Sequence, residues 1–162
     1  MAHCRLNIQQ AYVSIDPEDI YDDEGNLIGT THGKAIAEGV EHVYDQVQAG
    51  DQTLAYYAGY AALLAAGYSE EDASLGADDD FALAGYLIDF WQIGDETEWK
   101  QKAKILMLDE ANIVAVARVA EELLFERRLV MDQIGALIDV ADGDIPEQEY
   151  QRCKQAYWKR VE

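Results

Sequence analysis

The stretch "DQTLAYYAGYAALLAAG", residues 51–67, decides the fold. It is apolar or small almost all round, and a helix of that kind is buried on several sides rather than along one stripe. Gly59 and the alanines allow close approach of neighbouring helices, Asp51 is a candidate N-cap, and Gly67 is a natural C-terminal stop. A chain built around such a segment is mainly α.

The flanking segments extend the pattern. Upstream, Ile36, Val40, Val43 and Val47 recur at i, i+4, i+7 and i+11, which predicts an amphipathic helix ended by Gly50. Downstream, "LGADDDFALAG" (75–85) opens a helix whose buried face is Phe81, Ala84, Leu87, Ile88 and Trp91. Asp78, Asp79 and Asp80 stand at its start, where carboxylates favour the unpaired amides and the helix dipole. Further helices are predicted over 95–108 and 110–126. The second of these carries Ile113, Val116, Ala117, Ala120, Leu123 and Leu124 on its apolar face. Arg127 and Arg128 mark a break. "LVMDQIGALIDVA" (129–141) forms a short helix, and a closing helix runs to Trp158, with Asp144 and Glu147 in capping-box spacing and Pro146 in its first turn.

The N-terminal part reads differently. "RLNIQQAYVSID" (5–16) places Leu6, Ile8, Val13 and Ile15 in near-alternation, the mark of a strand. "DPEDIYDDEGN" (16–26) is a polar turn, and "LIGTT" (27–31) a returning strand. The expectation is one domain over 1–162: a β-hairpin ribbon over 5–31 and an array of six to seven helices over 33–162. The acidic loop of the hairpin is not an EF-hand, which needs D-x-[DN]-x-[DN]-G and a glutamate at the twelfth position.

Charge is the extreme property. Against 12 basic residues stand 32 acidic ones, a formal charge of −20. Phosphate backbones and anionic membranes are repelled by such a surface, so nucleic acid and membranes are excluded as ordinary partners. Three readings remain: solubility alone, an acidic face for a basic protein partner, or mimicry of DNA phosphates. The two cysteines, Cys4 and Cys153, form no motif and imply a reducing, cytoplasmic setting. The chain contains no HExxH, P-loop, GxGxxG or GxSxG, and His3, His32 and His42 assemble no metal or nucleophile motif.

Taken in order, several segments resemble the peptidase domain of FtsH-type ATP-dependent zinc metalloproteases and their standalone relatives. "YVSIDPEDIYDDEGNLIGTT" resembles that family's β-ribbon, and "AYYAGYAALLAAG" its "LAGRAAE" helix. "LGADDDFALAGYLI" is similar to its "GASNDFERAT" segment at Gly76, Ala77, Asp80, Phe81 and Ala84, and "VARVAEELLFERRLVMDQIGALI" to its closing helices. The resemblance implies an FtsH peptidase-like fold, with Asp80 at the position of the third zinc ligand. The family's HEAGH histidines and glutamate, its ATPase module and the Arg and Glu of "LAGRAAE" are missing; Tyr60 and Leu63 replace the last two. The implied protein is a truncated or degenerate metallopeptidase-like domain, inactive as this chain, with zinc held only in a full-length parent whose HExxH codons precede Met1. The alternative is an acidic protein-interaction module.

Overall fold

The computed structural model describes residues 10–22, 24–31, 34–37, 43–156 and 158. These fall into two compact units, one of residues 43–113 and one in which residues 10–37 join residues 114–158. The chain is mainly helical with a small antiparallel β-hairpin near its N-terminus, as the sequence predicts.

In the first unit α1 (Gln46–Ala65) is central and contacts α2 (Glu70–Ser74), α3 (Asp78–Trp91) and α4 (Glu96–Leu108). The reason is the small, apolar girth read from residues 51–67. Ala49, Ala58 and Ala61 are buried with Tyr57 and Tyr60, so helix axes come close while the tyrosine rings fill the remaining space. The N-terminal boundary differs from expectation. The helix does not restart at Asp51 but runs through Gly50 from an N-cap at Asp45, whose carboxylate accepts a hydrogen bond from the Gln48 amide at 2.9 Å. Gly50 is no breaker here because Trp99 of α4 occupies the space a side chain would need; a Cβ would lie 2.8 Å from the Trp99 ring. Asp51, left inside the helix, has its pKa raised by burial and then by Asp45. Gly67, at φ +90°, does stop the helix: its amide and that of Tyr68 bond back to Leu64 and Leu63.

Lys100 of α4 is held over the rings of α1 and α3. Its ammonium lies 4.4 Å from the Phe81 centroid and 5.7 and 5.6 Å from those of Tyr57 and Tyr60, and it pairs with Glu96 at 2.6 Å. The Tyr57 hydroxyl is buried and has no hydrogen-bond partner among the described residues, and burial, followed by the Glu96 charge, pushes the phenol up to about 12. A buried hydroxyl without a partner forfeits its hydration, so Tyr57→Phe should stabilise the chain by about 1 kcal/mol. Urea denaturation checks this; a loss of stability would mean that the hydroxyl is satisfied in solution.

The second unit contains two small sheets. β1 (Gln10–Ser14) is the middle strand between β4 (Lys34–Ala37) and β5 (Arg128–Val130), antiparallel to both, while β2 (Glu18–Tyr21) and β3 (Leu27–Thr31) form a separate hairpin. This corrects the single hairpin over 5–31. "LIGTT" does return, but against Glu18–Tyr21, a segment whose acidic residues made it read as turn. The turn proper is tighter. Asp22 accepts hydrogen bonds from the amides of Glu24 and Asn26 and from the Asn26 side chain, and Gly25 sits at φ +85°. The Asn26 side-chain bond first, then the turn amides, lower the Asp22 pKa. That carboxylate builds the turn.

Residues after Gly33 are not all helical: Ile36 lies in β4, Val43 precedes α1, and residues 128–130 lie in β5, so Ile36, Val43 and Val47 do not share one helix. Val40 and residues 5–9 lie outside the described residues. Helix α5 (Glu110–Glu126) has the predicted bounds but a different buried face. Asn112, Ala115, Val119 and Glu122 are buried, whereas Ile113 and Leu124 are exposed. The polar members of that face are satisfied. Asn112 donates to the Leu106 carbonyl at 2.7 Å, and Glu122 meets the ammonium of Lys154 on α7 (Glu147–Ala156). The helix ends at Arg127, which takes φ +63°, and the chain passes through β5 into α6 (Met131–Asp142), whose Ile134, Leu137 and Ile138 are buried with Leu129. No helix among the described residues is long and apolar enough to cross a membrane.

Candidate functional site

Two places concentrate polar chemistry, one in each unit. In the second unit Lys154 pairs with Glu122 and Glu126, and Arg118 bridges Glu122 at 3.6 Å and Glu147 at 2.9 Å. Burial raises the pKa of Glu122, but the Lys154 hydrogen bond, the Tyr150 hydroxyl and the Lys154 and Arg118 charges outweigh it and hold the carboxyl below its ordinary range. The Tyr150 hydroxyl, fully buried, faces that carboxylate without meeting hydrogen-bond geometry; burial and then Glu122 drive the phenol far up. Every charge in this cluster has an opposite neighbour, so its work is to fix α7 against α5.

The first unit carries the stronger candidate. Between Lys34 and Lys100 the chain has no lysine or arginine. Within that interval, residues 70–98 contain ten acidic side chains, all exposed. Some serve the helices. Asp95 caps α4 through the Glu98 amide, Glu96 and Glu98 pair with Lys100 and Lys102, and Glu70 accepts from the Tyr60 hydroxyl at 2.7 Å. Glu71, Asp78, Asp79 and Asp89 form no ion pair with a described residue. Among the described residues, Asp78 and Asp79 in the first turn of α3 meet no cation.

Asp78, Asp79 and Asp80 do not cap α3. The N-cap is Ala77, which offers no side-chain acceptor, and the three carboxylates occupy the first turn itself. They face the helix dipole from inside the helix. Asp80, the residue placed at a zinc-ligand position by the FtsH resemblance, is exposed, yet neighbouring side chains thin the water about its carboxyl; this, followed by the Asp79 charge, raises its pKa. Among the described residues no three histidine, cysteine, aspartate or glutamate side chains are grouped to hold a metal. His3, His32, His42 and Cys4 lie outside the described residues.

What sequence reasoning missed is the outer face of α3. Ala84, Leu87 and Ile88 are buried, as expected, but Leu83, Tyr86 and Phe90 are 47%, 62% and 63% exposed. The Tyr86 and Phe90 rings stack at 5.7 Å, and Phe90 meets Trp91 edge-on at 5.4 Å. The signal was present in the spacing: positions 83, 86 and 90 repeat as helical neighbours on a helix that already had one apolar face. Two surface depressions flank α4, one lined by Asp95, Glu96, Thr97 and Glu98 and one by Ile105, Leu106, Leu108 and Asn112; both are open to solvent.

No family model, curated protein or solved structure matches this chain. The FtsH resemblance rests on the quoted segments alone.

Proposed function

We propose that this chain is an acidic protein-interaction module, cytoplasmic, whose first unit presents negative charge to a basic protein partner. One observation carries the reading: ten exposed carboxylates lie within 70–98, in an interval from residue 35 to 99 that contains no lysine or arginine. A surface built only for solubility benefits from both signs interspersed, and this one withholds the positive sign from three successive helices. Facing fields of opposite sign accelerate encounter and reject acidic competitors.

The test is titration with a fluorescent lysine-rich peptide at several salt concentrations. Saturable binding that weakens steeply with salt is expected. Glu71→Gln/Asp79→Asn/Asp89→Asn should weaken it by about tenfold or more, while Glu24→Gln/Asp132→Asn/Asp144→Asn, which removes the same charge elsewhere, should change it by about threefold or less. Equal effects of the two triples would reduce the reading to bulk charge. If the chain also displaces duplex DNA from a basic DNA-binding protein, the module acts as a DNA mimic.

The metallopeptidase-like reading is a second proposal, supported by the "GADDDF" segment and by the desolvated Asp80 carboxyl at the head of α3. Histidines would have to come from outside the described residues. Zinc uptake in equilibrium dialysis that Asp80→Ala abolishes would support it, and uptake indifferent to that change would remove it.

A further inference from the structure

We infer that the outer face of α3 docks a basic amphipathic helix of the partner, with Leu83, Tyr86 and Phe90 receiving its apolar stripe and Asp79 and Asp89 its lysines or arginines. This rests on the interaction reading above and names the partner's shape. The three apolar side chains sit at i, i+3 and i+7, a line about 10 Å long on the helix surface. A partner helix offers apolar residues at the same rise, so ridges meet grooves over two turns. Asp79 stands one turn before Leu83, at the head of the line, and Asp89 follows Tyr86 by three residues, on its flank.

Burial inside this unit does not explain the face. α3 already packs through Ala84, Leu87 and Ile88, on its other side. The Tyr86–Phe90 stack stands in solvent, where large aromatics are enriched only if a partner covers them. Three occupants compete for it. A second copy of the chain would set the Asp79 and Asp89 charges of one helix beside those of the other, like charge on like. An anionic lipid surface is repelled by a chain of −20. A cationic helix alone meets both the apolar line and the acidic residues at its head and flank.

The experiment uses the full chain and two labelled peptides of identical lysine and leucine content, one patterned as an amphipathic helix and one scrambled so that no apolar face forms. Fluorescence anisotropy should show the helical peptide binding about tenfold or more tighter than the scrambled one. Tyr86→Ser/Phe90→Ser should abolish that preference while leaving the binding of the scrambled peptide and the circular dichroism spectrum unchanged. Should that double variant misfold, Tyr86→Ala alone, which leaves the buried face untouched, should still reduce the preference. Equal affinity for both peptides in the wild-type chain overturns this inference and leaves the charge-based reading standing. Binding of neither peptide overturns both. A dimer in sedimentation equilibrium that Tyr86→Ser/Phe90→Ser dissolves would assign the face to a second copy and overturn the basic-helix partner.

Discussion

Lys154→Met should cost about 3 kcal/mol or more, the largest loss expected of any single charge removal in this chain. The lysine side chain is 11% exposed and stands between Glu122, at 8%, and Glu126. Removing it leaves Glu122 buried with only Arg118, at 3.6 Å, to answer its charge. Urea denaturation at neutral pH reads the loss. Glu122→Leu with Lys154→Met should recover much of it, because removing both members of a buried pair avoids the unpaired charge. A neutral single variant would show that the pair is open to water.

The same cluster fixes a pH signature. Glu122 is depressed below its ordinary 4.5, so its contribution is complete above that value and fades as pH falls through its folded-state pKa. Lys154 is raised above its ordinary 10.5: burial opposes this, and the Glu122 and Glu126 hydrogen bonds and charges outweigh it. Its contribution is complete below 10.5 and fades as pH rises through the folded value. Stability from the cluster therefore holds a plateau between about 4.5 and 10.5, and Lys154→Met should flatten both flanks.

Gly50→Val should destabilise the first unit by about 2–3 kcal/mol, although glycine is the poorer helix former. Any Cβ at residue 50 comes within 2.8 Å of Trp99, and Trp99 cannot retreat easily: it is 8% exposed and its indole nitrogen donates to the Ile93 carbonyl at 2.9 Å. Gly50→Ala separates the two effects. A helix gain of about 1 kcal/mol opposes the clash, so the net loss should be smaller than for valine. In a Trp99→Phe background, whose ring lacks the offending carbon, Gly50→Ala should become neutral or stabilising. An unchanged penalty there would place the strain elsewhere.

These residues also show where sequence reading succeeds. The bounds of helices α3, α4 and α5 were legible to within a residue or so. Gly50 was misread because a glycine that terminates a helix and one that admits a neighbour's ring look alike until Trp99, 49 residues on, is placed. The buried face of α5 was misread because Glu122 is polar, and its burial depends on a lysine in another helix. β1 was recognised as a strand, but its partners were not, since pairing with residues 34–37 and 128–130 leaves no local trace. For the candidate site, the surplus of acid was plain in the composition, while the exposure of Tyr86 and Phe90 needed coordinates: an apolar residue on a helix reads as core until something fails to cover it.

The position of β1 has a consequence for how the polypeptide is made. Its β4 edge can pair once residue 37 has been synthesised, but its other edge needs residues 128–130. Asp16 and Arg127, which pair beside that edge, are 111 residues apart. At ribosomal speed this is an interval of about 6–22 s, during which the whole of the first unit emerges while one strand edge stands unpaired. An open edge is a template for foreign strands. The hazard in this chain is therefore a matter of timing on the ribosome, and slower translation of residues 39–113 lengthens the exposure of an edge that the finished molecule keeps closed.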